Sequence, residues 1–583
     1  MKKNKIIVFW GICLLTITSC TVEPTFYRDV SPEIFYTSQD AVWQRFNRSF
    51  THWRWWVGHM DEGRWALQEL GTDEYALPTR GSDWFDQAQY QQVHHHEYKE
   101  SMSWVNGAWT NYGMGVALAW DALEDLEKYV DFDALGFAQG AKESMLFQQQ
   151  TLVASFYLDG LDLFGGCPLY SEVGGEVKGR STDVETFNFI EKLLKEAMPN
   201  LPIRKAGDFH TGSISRAACA ALLIRLYFNA EAYIRKPMYA EAAAICQDII
   251  NGVYGTYTLA KTYQEIFGFT NERCDEMIWS VPSQNAQTQS GGTYWTWTAH
   301  YNFRQYLGNL TSSGGNNGIG LVPGLDPYGV KYSGPPYNYK IGGVYSRMHD
   351  SDLRKKKYVY TSNGNYEGMF WVGQMIHPSN PDWKILGGRE YAGTGQPIEF
   401  VDQVAQFYRI GKTVNGVFYP DLASVLAAFP SDIRYAEESN LVRSTKRSPR
   451  PTSTDQTRLG NPDIPFIRLA EIYYTLAECK MRTGDLNGAA ELINTVRKRY
   501  FTGGNDPDPV SASNLDKYRM LNEWSLEFFE EGRRRTDLIR WDAYVTEPWW
   551  DHVPSNSRHL HRFPLHTQTM GANTKLEQNP GYK

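Results

Sequence analysis

The stretch from Pro465 to Trp541 constrains this 583-residue chain more than any other. It begins PFIRLAEIYYTLAECKMRTGDLNGAAELINTVRKRY. Leu469, Ile472, Tyr473, Leu476 and Ala477 recur at steps of three and four, the spacing of one buried helix face. Gly484 stands where a helix C-cap glycine belongs, and Asp485 can cap the next helix. That second helix would bury Ala489, Leu492, Ile493 and Val496. Small alanines at 477, 489 and 490 would let the two helices approach closely, as in a tetratricopeptide-like repeat. The run LDKYRMLNEWSLEFFEEGRRRTDLIRW then adds another amphipathic helix and a dense block of charge. Glu530, Glu531, Arg533, Arg534, Arg535, Asp537, Arg540 and Asp542 in that block read as a structural ion-pair network rather than an active site.

A second unit of the same kind lies upstream. In GSISRAACAALLIRLYFNAEAY followed by YAEAAAICQDIING, Ala230-Glu231 precedes Ala242 by the twelve residues that separate Ala477-Glu478 from Ala489. Two units so far apart imply a helical scaffold interrupted by other chain. Further helices are expected within 31–70, 104–129 and 183–201, and 147–170 reads as a helix ending in a glycine turn. The segment 71–98 breaks periodicity with Gly, Pro and Asp and reads as a loop exposing Trp84 and Phe85. From about 280 to 460, Gly, Asn, Ser, Pro, Tyr and Trp dominate, and a large insertion of loops, short hairpins and small helices is expected.

The start of the chain reads as a signal peptide. Basic MKKNK is followed by the apolar run IIVFWGICLLTI, too short to span a membrane, and by Ile17-Thr18-Ser19-Cys20. The last four residues resemble a bacterial lipobox, which makes Cys20 the lipidated first residue of the mature protein; an ordinary leader with a chance cysteine is the bland alternative. Residues 1–19 would be removed. The formal charge of −8 then becomes −8 − 3 = −11 with the loss of Lys2, Lys3 and Lys5. A nucleic-acid partner is not expected of so acidic a chain. Five other cysteines (Cys167, Cys219, Cys246, Cys274 and Cys479) form neither a CxxC nor an even set, so no disulfide framework or zinc finger is indicated.

RLAEIYYTLAE, GDLNGAAELINTVR, LEFFEEGRRRTDLIRW and the ending FPLHTQTMGANTKLEQNPGY resemble the C-terminal signature of the SusD/RagB family, outer-membrane nutrient-binding lipoproteins of Bacteroidetes. FQQQTLVASFYLDGLDLFGGCPLY similarly resembles the family segment that closes a helix with a glycine turn. One departure is Asn522-Glu523-Trp524, where the family usually has Glu-Arg. The fold the resemblance implies is mainly α, a tetratricopeptide-like helical-repeat scaffold with an irregular insertion forming the ligand face. Residues 20–270 would be the N-terminal helical region. Residues 271–583 would be the C-terminal region, with a variable insertion at 280–460 and the helical repeat at 465–545. The implied role is non-enzymatic. A lipoprotein anchored at Cys20 on the cell-surface side of the outer membrane captures an oligosaccharide and acts as lid of a SusC-like TonB-dependent transporter.

Aromatic residues make up 14% of the chain, with 19 Trp and 36 Tyr, and rings of this kind can serve as sugar-stacking platforms. Trp84 is the first candidate, with Asp73, Arg80 and Asp83 to hold hydroxyl groups. Tyr294, Trp295 and Trp297 form a second set, in which alternation puts the two tryptophans on one face of an extended segment. Trp371 and Trp383 with Arg389 form a third. In each case the competing reading is a buried aromatic. His94, His95 and His96 are consecutive, so in a strand only His94 and His96 share a face, and no partner carboxylate is assignable; no metal site and no cofactor are expected. Asp131 and Asp133 mimic half a calcium loop, but Lys142 stands where the bidentate Glu belongs. The sequence has no GxxxxGK[ST], GxSxG or HExxH. A binder of peptide or another non-sugar nutrient, a glycoside hydrolase and a purely structural lid stay open as alternatives.

Overall fold

The computed structural model describes residues 32–583 apart from 59–62, 284–296, 303–304, 306–314, 331, 363–364, 378–379, 389–394 and 447–461. Eight principal helices form the scaffold. In chain order they are α1 (Gln39–Gly58), α2 (Ser103–Lys128), α3 (Ala141–Phe164), α4 (Asp183–Ala197), α5 (Arg216–Phe228), α6 (Tyr239–Ile250), α7 (Leu469–Arg482) and α8 (Leu486–Arg497). Each packs on the next, so they form a row of helical hairpins. The row is continuous in space but not in sequence, because α6 lies against α7 across more than two hundred intervening residues. Among the described residues no helix is long and apolar enough to cross a membrane.

Local chemistry sets these elements. Gly484 adopts φ +93°, a left-handed conformation that glycine takes without a Cβ penalty, and α7 stops there. Asp485 then accepts a hydrogen bond from the Gly488 amide at 2.9 Å and starts α8. Thr182 and Glu185 form a reciprocal capping box at the start of α4. Gly115 lets α2 and α3 approach until a Cβ there would sit 2.3 Å from the Phe156 ring. Of the five residues expected to form the buried face of α7, Tyr473 is only half-buried, and its neighbour Tyr474 fills the core instead.

Two strands carry the chain out of the row and back. β1 (Met277–Val281) pairs antiparallel with β2 (Ile464–Arg468), and all ten residues are buried. Trp279 of β1 stacks on Trp53 of α1 with ring centroids 4.0 Å apart and planes 6° apart, which ties this neck to the first helix. Between the strands the chain makes short two-stranded pairings, among them Val359–Ser362 with Asn365–Glu367 and Lys412–Val414 with Val417–Tyr419, and short helices such as Leu422–Ala428. The fold is therefore mainly α with an irregular insertion, as the sequence implies.

Beneath the neck lies a balanced buried charge cluster. Arg468 contacts Glu276 at 3.0 Å, Glu527 at 2.6 Å and Glu531 at 2.8 Å, while Arg499 also holds Glu276 and Glu527. The insertion contributes two more cations. Arg354 pairs with Asp352 and reaches Glu527 at 3.4 Å. Lys446 donates to Glu531 at 2.6 Å and to the carbonyls of Glu527 and Phe529. Burial disfavours the charge on Glu527, but Arg468, Arg499 and Arg354 outweigh it and hold its carboxyl down at about 2. Lys446 is pushed down to about 8, chiefly by burial.

A second network joins Lys517–Phe528 (α9) and Arg534–Arg540 (α10) to the repeat. Glu478 of α7 accepts from Arg540 at 2.8 Å and from the Trp524 indole at 2.7 Å, and Asp537 pairs with Arg533 and Arg540. Glu523, at the point where the sequence departs from the family pattern, is engaged by both Arg497 and Arg519 at 2.8 Å. The charged block thus works as structural cement: Glu531, Asp537 and Asp542 are held by cations, while the buried Glu530 accepts from the Tyr75 hydroxyl at 2.9 Å.

Candidate functional site

Segment 71–98 is an exposed loop only in part. Residues 71–80 are buried throughout. Asp73 has no exposed surface and forms a bidentate pair with Arg534, Nε to Oδ1 at 2.6 Å and Nη2 to Oδ2 at 2.8 Å. Arg80 is 1% exposed and donates to the carbonyls of Gly318 at 2.7 Å and Glu437 at 3.1 Å. Trp371 is 2% exposed, in a strand paired with Arg443–Ser444. These three do not line an open face, which corrects the reading made from sequence. Their partners are remote in the chain, and a buried polar group must be satisfied wherever a partner lies.

The loop that follows does emerge. Arg80 and Asp83 exchange backbone hydrogen bonds at 3.0 and 2.9 Å, making a tight turn anchored by the buried Arg80 side chain. Trp84, Asp86, Gln87 and Ala88 then all have positive φ, from 37° to 63°. Four non-glycine residues in the left-handed region within five positions represent stored strain, and such strain gathers at functional sites. The result is that Phe85 stands 52% exposed beside a half-buried Trp84.

Other chain segments fix this loop. The Trp84 indole donates to the Asn316 carbonyl at 2.9 Å, and its ring lies over Gly318, where a Cβ would fall 2.9 Å from the indole. Trp297 packs against Trp84 with centroids 5.0 Å apart and planes 50° apart, while Tyr90 meets it edge-on. Asp83 accepts from the Tyr301 hydroxyl at 2.5 Å. Trp297 therefore sits in a helical turn beside Trp84, not in the extended segment that alternation suggests. Tyr294, Trp295, Arg389 and Cys20 lie outside the described residues. Trp383 is half-buried and stacks flat on His377 with ring centroids 4.9 Å apart.

A second aromatic group shares the support of the first. The Thr79 amide donates to the Ile433 carbonyl at 2.9 Å, so the Trp84 loop is docked on segment 431–437. On the same segment, Ser431 receives the Trp550 indole N–H at 3.3 Å and hydrogen-bonds the Tyr337 hydroxyl at 3.2 Å. Tyr337 and Tyr339 stack with centroids 5.6 Å apart, and together with Trp550 they line a cavity of about 110 Å³. Sequence reasoning passed over these residues. The alternating Tyr337 and Tyr339 of PPYNY were a visible signal, but the approach of Trp550 from the far end of the chain was not. Larger hollows of about 570 and 590 Å³ lie against the scaffold, the first beside Tyr233 and Arg562 and the second beside Trp43 and Phe50. Neither shares the strained loop or its support.

Comparison with known proteins decides the family. The SusD family pattern matches residues 275–582. The chain belongs to the SusD family. It is similar to the starch-binding protein SusD of Bacteroides thetaiotaomicron, 23% identical over 468 residues that cover 74% of this chain and 72% of that one. Among solved structures, the surface glycan-binding protein A from Bacteroides uniformis superposes with a TM-score of 0.63 at 16% identity, covering 93% of this chain and 99% of that one. NanU of B. fragilis superposes with a TM-score of 0.61 at 15% identity, covering 96% and 100%. At these identities the structural likeness speaks for the SusD-type fold.

Proposed function

We propose that this SusD-family chain is a glycan-binding lipoprotein, anchored through Cys20 on the outer membrane, that captures an oligosaccharide and acts as lid for a SusC-like TonB-dependent transporter. The observation that carries the binding face is the strained turn at 84–88. It holds Trp84 and the exposed Phe85 over the support shared with Tyr337, Tyr339 and Trp550. Flat rings bind the CH face of a pyranose, and hydroxyl groups of the sugar can reach Asp83 and the free valences of nearby backbone. Such contacts are individually modest, which suits capture followed by release. The names of two relatives, starch-binding and surface glycan-binding, favour a carbohydrate. The helical row, opposite in character to the aromatic face, is the surface offered to the transporter.

Calorimetric titration of the chain from residue 21 onward, which keeps every described element, against plant, microbial and host oligosaccharides tests this reading. Saturable binding without product formation is expected for at least one glycan. Trp84→Ala should weaken it roughly tenfold or more, as for a central aromatic anchor. Silence across the panel sinks the glycan assignment and turns attention to peptide ligands. Turnover of a glycan sinks the non-enzymatic role.

A further inference from the structure

One cluster of metal-ligating side chains has no part in the capture just described. His94 ends the short helix Gln89–His94 and His95 is its C-cap. Consecutive helical residues project about 100° apart, but the chain turns at His95 and both imidazoles reach one carboxylate. His94 Nε2 lies 2.5 Å from Asp551 Oδ1 and His95 Nε2 lies 3.4 Å from Asp551 Oδ2. One ligand atom from each of the three residues falls within 4.8 Å of the other two.

The surroundings hold this geometry in place. Asp551 stands in a tight turn in which the His552 amide donates to the Trp549 carbonyl at 2.7 Å, and its Oδ2 accepts from the Ile433 amide at 2.8 Å. His552 Nδ1 hydrogen-bonds the His94 carbonyl at 2.8 Å, and the Trp550 ring meets the His94 ring edge-on. The His94 side chain is fully buried while that of His95 is 29% exposed, so the cluster opens to solvent on the His95 side.

We propose that His94, His95 and Asp551 form a binding site for a divalent transition-metal ion, zinc foremost. Two imidazole nitrogens and one carboxylate oxygen are the donor set such ions prefer, leaving a fourth tetrahedral position on the open side. Calcium and magnesium, which collect six or more oxygens, do not suit it. A simple ion pair needs one histidine; here a second ring converges on the same carboxylate. The Ile433 amide, on Asp551 Oδ2, supplies the kind of outer contact that orients a ligand in metal sites, and His552 fixes the backbone that carries His94. A bound ion would staple the helix that follows the Trp84 loop to the turn that carries Trp550, and so fix the two aromatic groups relative to each other.

The chain from residue 21 onward, untagged and stripped with chelator, is titrated with cobalt(II) followed by its visible absorption, then with zinc in competition. One equivalent is expected. His95→Ala leaves the His94–Asp551 contact intact and should weaken zinc by roughly 10- to 100-fold or more, the scale on which even outer contacts act. Absence of saturable uptake by the unmodified chain overturns the site. So does a His95→Ala chain that binds zinc as tightly, since the ion would then belong elsewhere among the 13 histidines. Should His95→Ala not fold, the melting temperature of the unmodified chain decides, because saturating zinc that produces no rise also overturns the proposal.

Discussion

Replacing Asp73 separates a structural role from a ligand-binding one. Asp73→Asn keeps the size of the side chain but removes the charge that faces Arg534. That guanidinium is 1% exposed, makes two bonds to Asp73 at 2.6 and 2.8 Å, and spends a third on the Leu521 carbonyl at 2.6 Å. Glu74 lies at 3.6 Å, and Asp537 also acts on the guanidinium electrostatically. Breaking a buried pair by removing one partner costs about 3–5 kcal/mol, because the cation left behind cannot recover its hydration. For a chain of this size, with an unfolding entropy on the order of 1.2 kcal/mol/K, the melting temperature should fall by about 2–4 °C. Thermal unfolding followed by tryptophan fluorescence reads the loss, and calorimetry at 20 °C reads glycan affinity on the same sample. The expected result is a lower melting temperature with unchanged affinity. An unchanged melting temperature with lost binding would refute the burial argument and return Asp73 to the ligand face.

Gly318→Ala places a Cβ 2.9 Å from the Trp84 indole without disturbing the neck, so glycan affinity should drop while the melting temperature stays close to that of the unmodified chain; equal affinity would detach Trp84 from binding. Asp402 tests the buried acids of the insertion. Burial, opposed by the Gly324 amide, pushes its carboxyl up to about 7. The unfolded chain ionises first, so the native state holds an extra proton between about pH 4 and 7 and loses stability as pH rises through that window. Asp402→Asn removes the loss. Relative to the unmodified chain, its stability should improve by roughly 2–3 kcal/mol between pH 5 and pH 8, two pH units at 1.36 kcal/mol each. A stability difference independent of pH, measured by urea unfolding, would contradict this.

How far the sequence could be read depended on where each residue's partner lies. The repeat helices were legible because their partners sit three, four or twelve residues away, within reach of periodicity, and the caps at Gly484 and Asp485 are local chemistry. The charged block after Glu530 was legible as cement because so many opposite charges in one short run leave few other uses. Asp73 and Arg80 were misread for the opposite reason. Arg534 lies 461 positions beyond Asp73, and the Gly318 carbonyl lies 238 positions beyond Arg80. Nothing local distinguishes a carboxylate that waits for a sugar from one that meets a distant arginine. The same gap hid Asp551 from His94, 457 positions away, and made the histidine run look like a cluster without a carboxylate.

The paired strands β1 and β2 have a consequence for how such a chain can change. Entry and exit of the insertion are held side by side, so the entropy of closing the intervening chain grows only with the logarithm of its length. Residues between Val281 and Ile464 could therefore be exchanged wholesale, long for short, with little charge to the helical row. The transplant would not be wholly free. The scaffold presents Glu276, Glu527 and Glu531 in a dry interior, and the incoming segment must bring cations where Arg354 and Lys446 now stand. Grafting a relative's insertion onto this scaffold should thus depend on supplying those two cations, together with the carbonyls that Gly318 and Glu437 now offer the buried Arg80.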